Sequence, residues 1–169
     1  MASEMVSRRR FVTRSAGGLV LVSTPLTAFA QATQPVKERP PALGASLVQE
    51  FVRKAHADLA GTKALLAENP TLLNATWDWG GGDFETGIGG AGHMGNRDIA
   101  EFLISQGARL DVFVAAMLGR LDIVKALLTA WPNLLHSAGP HGITLLRHAR
   151  AGGEHAKAVV DYLQALGAA

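Results

Sequence analysis

Residues 51–75 read FVRKAHADLAGTKALLAENPTLLNA and residues 113–137 read FVAAMLGRLDIVKALLTAWPNLLHS, an ungapped echo at an offset of 62 residues. Phe51, Val52, Leu59, Lys63, Ala64, Leu65, Leu66, Pro70, Leu72 and Leu73 match their counterparts, ten of 25 positions. Self-similarity on this scale marks stacked units, each too small to bury its apolar face without a neighbour. Leu47, Val48, Phe51, Val52 and Ala55 recur at helical spacing, and Ser46 with Gln49 reads as a capping box. A second helix runs from about Leu59 to Glu68, turns Leu65 and Leu66 inward and stops at Pro70.

The aliphatic couplet returns as Ile99, Ala100, Leu103 and Ile104, then as Ile123, Val124, Leu127 and Leu128, and last as Val159, Val160 and Leu163. From Leu65 through Leu103 and Leu127 to Leu163 the steps are 38, 24 and 36 residues, with a mean of about 33. Thr86, Ala91, Gly95 and Gly107-Ala108 fall in one frame, Ala115, Ala116 and Gly119 in the next, and Gly142-Ile143-Thr144 and Gly167-Ala168 in the last. In period and register the chain resembles the ankyrin repeats. No unit keeps the full T-P-L-H signature, the first and third end in x-Pro-x-Leu-Leu, and the 24-residue step leaves little room for a finger. The resemblance implies an all-α fold, an α-solenoid of about four helix–turn–helix units with loop or β-turn fingers. The approximate units are residues 46–75, 76–110, 111–136 and 137–169, with a polar capping face on the first from Gln49, Glu50, Arg53 and Lys54. A helical bundle of another topology is the alternative.

Ahead of this domain, Ser7-Arg8-Arg9-Arg10-Phe11-Val12 precedes a mildly apolar run from Ala16 that ends in Ala28-Phe29-Ala30. The layout is that of a cleavable secretory signal, and its paired arginines resemble the twin-arginine export signal of bacteria. Residues 1–30 are therefore expected to be the signal, and the proline-containing residues 31–45 a flexible leader to the domain at 46–169. The expected location is the periplasm, with no membrane anchor once the signal is removed. The signal carries a net charge of +3 against +2 for the whole chain, which leaves −1 beyond it and argues against a nucleic-acid partner. There is no cysteine, so no disulfide can staple the exported protein.

Function is less legible. Thr76-Trp77-Asp78-Trp79-Gly80-Gly81-Gly82-Asp83-Phe84-Glu85 groups two tryptophans with three acids. Aromatics beside a few polar groups suit an interaction hot spot. Folding of Trp77 and Trp79 back onto the helices is the competing reading. The ankyrin resemblance implies recognition of another periplasmic protein by a monomer, through a concave face of Trp77, Asp78, Trp79, Asp83, Phe84, His93 and His141. On that main reading the chain is not an enzyme and needs no cofactor or metal.

The alternative is a small-molecule or metal site, possibly enzymatic, built from histidines and carboxylates of the same face. His56 and His93 fall where they could meet Asp83 or His141. Convergence of these groups within a few ångströms discriminates the two readings. Asp78, Asp83 and Glu85 lack the glycine and glutamate positions of an EF-hand loop. Gly87-Ile88-Gly89-Gly90-Ala91-Gly92 spells G-x-G-x-x-G without the preceding strand a dinucleotide site needs, Asp111 being its only support. These glycines are expected on a helix that a neighbouring backbone or a ligand approaches closely. His141, His148 and His155 are spaced by seven but broken by Gly152-Gly153, and Ser46, Ser105 and Ser137 occupy no nucleophile elbow.

Overall fold

The computed structural model describes residues 39–168, so the expected export signal and the expected leader as far as residue 38 lie outside the described residues. From Ala45 the chain is mostly helical. Eight α-helices among the described residues pair in chain order: α1 (Ala45–Lys54) with α2 (Leu59–Glu68), α3 (Gly87–His93) with α4 (Arg97–Ser105), α5 (Val112–Met117) with α6 (Leu121–Ala130), and α7 (Leu145–Ala151) with α8 (Lys157–Ala165). Helices α1, α3, α5 and α7 pack one on the next, while α2 touches α4 and α6 touches α8. The sequence echo is carried into structure without slippage. Helices α2 and α6, and the 3-10 turns Pro70–Asn74 and Pro132–His136 that follow them, are displaced by the same 62 residues.

Local chemistry explains the boundaries. Thr86, Asp111 and Thr144 each cap the helix that follows, accepting from the N–H of Gly89, Val114 and Arg147 respectively. Asp111 is thus an N-cap and not a ribose ligand. Asp58 caps α2 in the same way, through Gly61 N–H at 2.8 Å. The Ser46–Gln49 capping box does not form. Helix α1 begins two residues earlier than expected, behind Gly44, which places Ser46 inside the first turn and leaves Gly44 without a side-chain cap.

Two apolar clusters share the interior. Phe51, Leu72, Ile88, Leu103 and Met117 centre the first, and Val112, Val124, Leu145, Leu146, Val159 and Leu163 the second. In α2 and α6 it is Leu66 and Leu128 that are buried, while Leu65 and Leu127 are half-buried.

The connections between hairpins differ in a way that decides the site. Residues 69–86 carry the strands β1 (Thr76–Asp78) and β2 (Phe84–Thr86), which pair antiparallel with Trp77 opposite Glu85. Their loop runs through Gly80, Gly81 and Gly82 at φ of 130°, 67° and 89°, a run open only to glycine. Asp78 Oδ1 accepts the N–H of Gly80 at 2.8 Å and of Gly82 at 3.2 Å and so ties the loop. Residues 106–111 have no strand, and residues 131–144 end in the turn Pro140–Gly142.

Candidate metal centre

Four side chains converge from separate parts of this framework. His56 follows α1, Glu85 lies on β2, His93 ends α3, and His141 sits in the turn before α7. Each offers one ligand atom, and the four atoms lie within 4.8 Å of one another. His93 Nε2 stands 2.9 Å from Glu85 Oε1 and 3.1 Å from His56 Nε2. Glu85 Oε2 is 3.2 Å from His56 Nε2 and 3.5 Å from His141 Nε2. A tetrahedral ion with bonds near 2.0–2.1 Å requires ligand–ligand edges of roughly 3.3 Å. The shortest contacts present, 2.9–3.5 Å, are close to that requirement, and the widest pair would close from as much as 4.8 Å.

The glycine-rich helix makes the convergence possible. A Cβ at Gly90 would lie 2.7 Å from Cε1 and Nδ1 of the His56 ring, so glycine there lets the imidazole rest against α3 one turn before His93. Gly87 admits the Phe51 ring in the same way, with a Cβ approach of 2.9 Å. At Gly87 and Gly90 the close approach is thus made by side chains of the first hairpin, not by a backbone or a ligand as expected. Asn96 also donates to the His56 carbonyl and fixes the turn that carries the ring.

The outward nitrogens of two of the imidazoles are held, and so is one oxygen of Glu85. His56 Nδ1–H donates to the Val52 carbonyl at 2.8 Å. Asp83 accepts both the backbone N–H of His141 at 2.8 Å and its Nδ1–H at 2.7 Å. The indole N–H of Trp79 donates to Glu85 Oε2 at 2.7 Å. With Nδ1–H engaged in this way, loss of the Nε2 proton leaves a lone pair directed into the cluster, the arrangement of metal-bound imidazoles. His141 adopts a left-handed backbone conformation, φ 58° and ψ 21°, and is the described non-glycine residue that does so. Its two bonds to Asp83 hold it there.

Glu85 is the electrostatic centre. Its side chain is fully buried, and its ion-pair partners among the described residues are all histidines. Oε1, although close to His93, receives no well-aligned hydrogen bond and is left as a buried lone pair within the cluster. Burial pushes the carboxyl group up, but the near nitrogens of His56 and His93 and the indole N–H of Trp79 outweigh it and hold it far below the usual carboxylate range. Glu85 in turn raises His56, against the opposing effect of burial. The backbone N–H of His141 holds Asp83 down.

The residues singled out from sequence divide into two groups. Trp79, Asp83, His93 and His141 belong to the cluster or to its immediate supports. Trp77 is half-buried against the first apolar cluster with its indole N–H buried and unpartnered, in keeping with a role in covering the helices. Asp78 is engaged by its own loop, and Phe84 is 61% exposed. The seven-residue histidine series does not align. His141 joins the cluster, His148 is buried against Phe113 and the Thr144 carbonyl, and His155 is exposed. The discriminating test of convergence thus favours a site: His56, His93 and His141 meet around Glu85, and Asp83 joins through His141. Glu85 was visible in sequence only as one acid among three. Its partnership with the histidines depends on β2, whose pairing with β1 brings it beneath Trp79.

No family model, curated protein or solved structure matches this chain.

Proposed function

We propose that this chain is a metal-binding protein whose centre consists of His56, His93, His141 and Glu85. The observation that carries this reading is a buried carboxylate surrounded by imidazole nitrogens, with an unpaired oxygen facing inward and the outward nitrogens of two imidazoles already engaged. The histidines and Trp79 compensate this buried charge in the metal-free chain, and a divalent cation can replace the histidine protons in that role while engaging all four donors. Three imidazoles and one carboxylate suit a late first-row divalent ion, and four protein ligands near tetrahedral spacing favour Zn²⁺.

The test is calorimetric titration of the metal-free protein with Zn²⁺, beside native mass spectrometry for stoichiometry. One ion per chain is expected, with binding lost in Glu85→Gln and His93→Ala. Absence of binding in the wild type, or unchanged affinity in both variants, overturns the reading.

We infer further that the four hairpins are ankyrin-type units. The paired helices, the inner helices stacked in series and the conserved 62-residue offset of α2 and α6 support this. The arginine-led amino terminus supports export to the periplasm. Recognition of a periplasmic protein is a second reading, favoured by the exposed ring of Phe84 at the edge of the hairpin. It is compatible with a metal centre behind that edge.

A further inference from the structure

The four ligands are not equivalent. His56, His93 and Glu85 come from neighbouring elements of the first two hairpins, and their mutual contacts are 2.9, 3.1 and 3.2 Å. His141 comes from the turn before α7, and its Nε2 approaches Glu85 no closer than 3.5 Å. Side-chain exposure follows the same order: 0% for Glu85, 10% for His93, 20% for His56 and 33% for His141. The polar contacts that hold the His141 ring and N–H are those to Asp83, itself about one-third exposed.

Building on the metal-centre reading, we propose that His56, His93 and Glu85 form a platform that retains the metal by itself, and that His141 is a displaceable fourth ligand whose position a small nitrogen- or oxygen-donor molecule can take. Two imidazoles and a glutamate are a sufficient set for zinc in sites that keep a position open for water or substrate. Departure of the His141 ring opens the position on the solvent side of the ion and leaves the buried platform undisturbed. The same departure frees Oδ2 of Asp83, which then stands beside the vacated position as an acceptor for an N–H or O–H of the incoming molecule, while Oδ1 keeps the backbone N–H of His141. Asp83 therefore has two roles, clamping His141 in one state and orienting the exogenous ligand in the other.

The experiment is a titration of the full chain, stripped of metal by chelation, with Co²⁺, whose visible absorption reports coordination. Imidazole is then added as the exogenous donor. Wild type, His141→Ala, Asp83→Ala and His93→Ala are compared, with far-ultraviolet circular dichroism as the check on folding. His141→Ala is expected to keep one Co²⁺ with affinity lowered by no more than about 100-fold, the range seen on loss of a supporting group. His93→Ala is expected to lose at least a further tenfold. Imidazole should shift the Co²⁺ spectrum of His141→Ala toward that of the wild type. Asp83→Ala should respond at lower imidazole concentration than the wild type, because its His141 is no longer clamped.

Failure of the wild type to bind Co²⁺ or Zn²⁺ overturns the metal centre itself. A wild type that binds while folded His141→Ala and His93→Ala lose the ion equally overturns the platform and leaves the metal centre standing. Retention of Co²⁺ by His141→Ala without any spectral response to imidazole overturns the exchangeable position.

Discussion

The sharpest consequence of the site concerns stability. The ligands bridge residue 56 to residue 141, so an ion bound there links the first, second and fourth hairpins of a chain that has no cysteine. Metal that binds the folded chain and not the unfolded one adds RT ln(1 + [M]/Kd), about 2.7 kcal/mol at free metal 100-fold above Kd. For a domain spanning Pro40–Ala169, each kcal/mol moves the midpoint by roughly 3–5 °C, so Tm should rise by about 8–13 °C. The assay is calorimetric melting of the chelator-treated protein with and without Zn²⁺, in wild type and in Glu85→Gln. The isosteric amide keeps the shape of the buried side chain but removes the charge that the ion needs. A wild-type rise that disappears in Glu85→Gln is the expected result. An equal rise in both proteins refutes the argument, because zinc would then be acting elsewhere, for instance at exposed His136 or His155.

Three further outcomes follow from the same geometry. Metal affinity should fall as pH is lowered from 8 to 6. Glu85 raises His56, so a proton competes for its Nε2 at higher pH than at an ordinary histidine, and metal uptake releases that proton; Kd by chelator competition at the two pH values measures this. Gly90→Ala should weaken Zn²⁺ binding by about 10–100-fold, because the new Cβ would stand 2.7 Å from the His56 ring and displace it, while the helix gains about 1 kcal/mol of intrinsic preference and the fold survives. Calorimetric titration beside urea unfolding separates the two effects. Burial lowers His148, so the folded chain keeps it neutral while the unfolded chain protonates it below its ordinary value of 6.5. Its contribution is therefore full above that pH and lost as pH falls below it. His56, being raised, slopes the other way in the same window, so the measure is the difference between proteins: in urea unfolding of the metal-free forms, wild type should lose stability relative to His148→Gln as pH falls from 7.5 to 5.5.

The helical pairs were legible because their signal is local and repeated. The echo that begins at Phe51 and Phe113 fixed α2 and α6 residue for residue, and Pro70 and Pro132 marked the turns after them. The start of α1 was misplaced because Ser46 satisfies a capping pattern that the backbone, turning into helix behind Gly44, does not use. In the sequence His56 and His93 fall where they could meet Asp83 or His141, and His141 is the one that joins both. The fourth ligand was not foreseeable. Glu85 is acidic, next to exposed Phe84 and two residues from Asp83, and its burial follows only from the pairing of β1 with β2 across three glycines. Trp79 was likewise legible as an aromatic near acids, but its use as a hydrogen-bond donor to Glu85 depends on that same pairing. Tertiary convergence of this kind leaves no periodic trace in sequence.

One irregularity of the sequence does foreshadow the centre. The step from Leu103 to Leu127 is 24 residues, shorter than the 38 and 36 on either side, and the structure accounts for it by the absence of a strand in residues 106–111. The second hairpin has a β-finger and the fourth has a projecting turn, but the third enters α5 directly at its Asp111 cap. With no finger between them, the Pro140–Gly142 turn reaches α3 and β2: His141 bonds to Asp83, and Pro140 Cγ would lie 3.7 Å from a Cβ at Gly89. In an assembly of hairpins, each normally meets only the next. Here the short third connection permits a contact that skips one, and His141 makes it. Lengthening residues 106–111 by a finger of the kind found at 76–86 should therefore separate His141 from Asp83 while the helices remain paired. Such an insertion is expected to weaken Zn²⁺ binding about as much as His141→Ala and to leave the metal-free melting point nearly unchanged. An insertion variant that binds zinc as the wild type does would show that the turn reaches the site for some other reason.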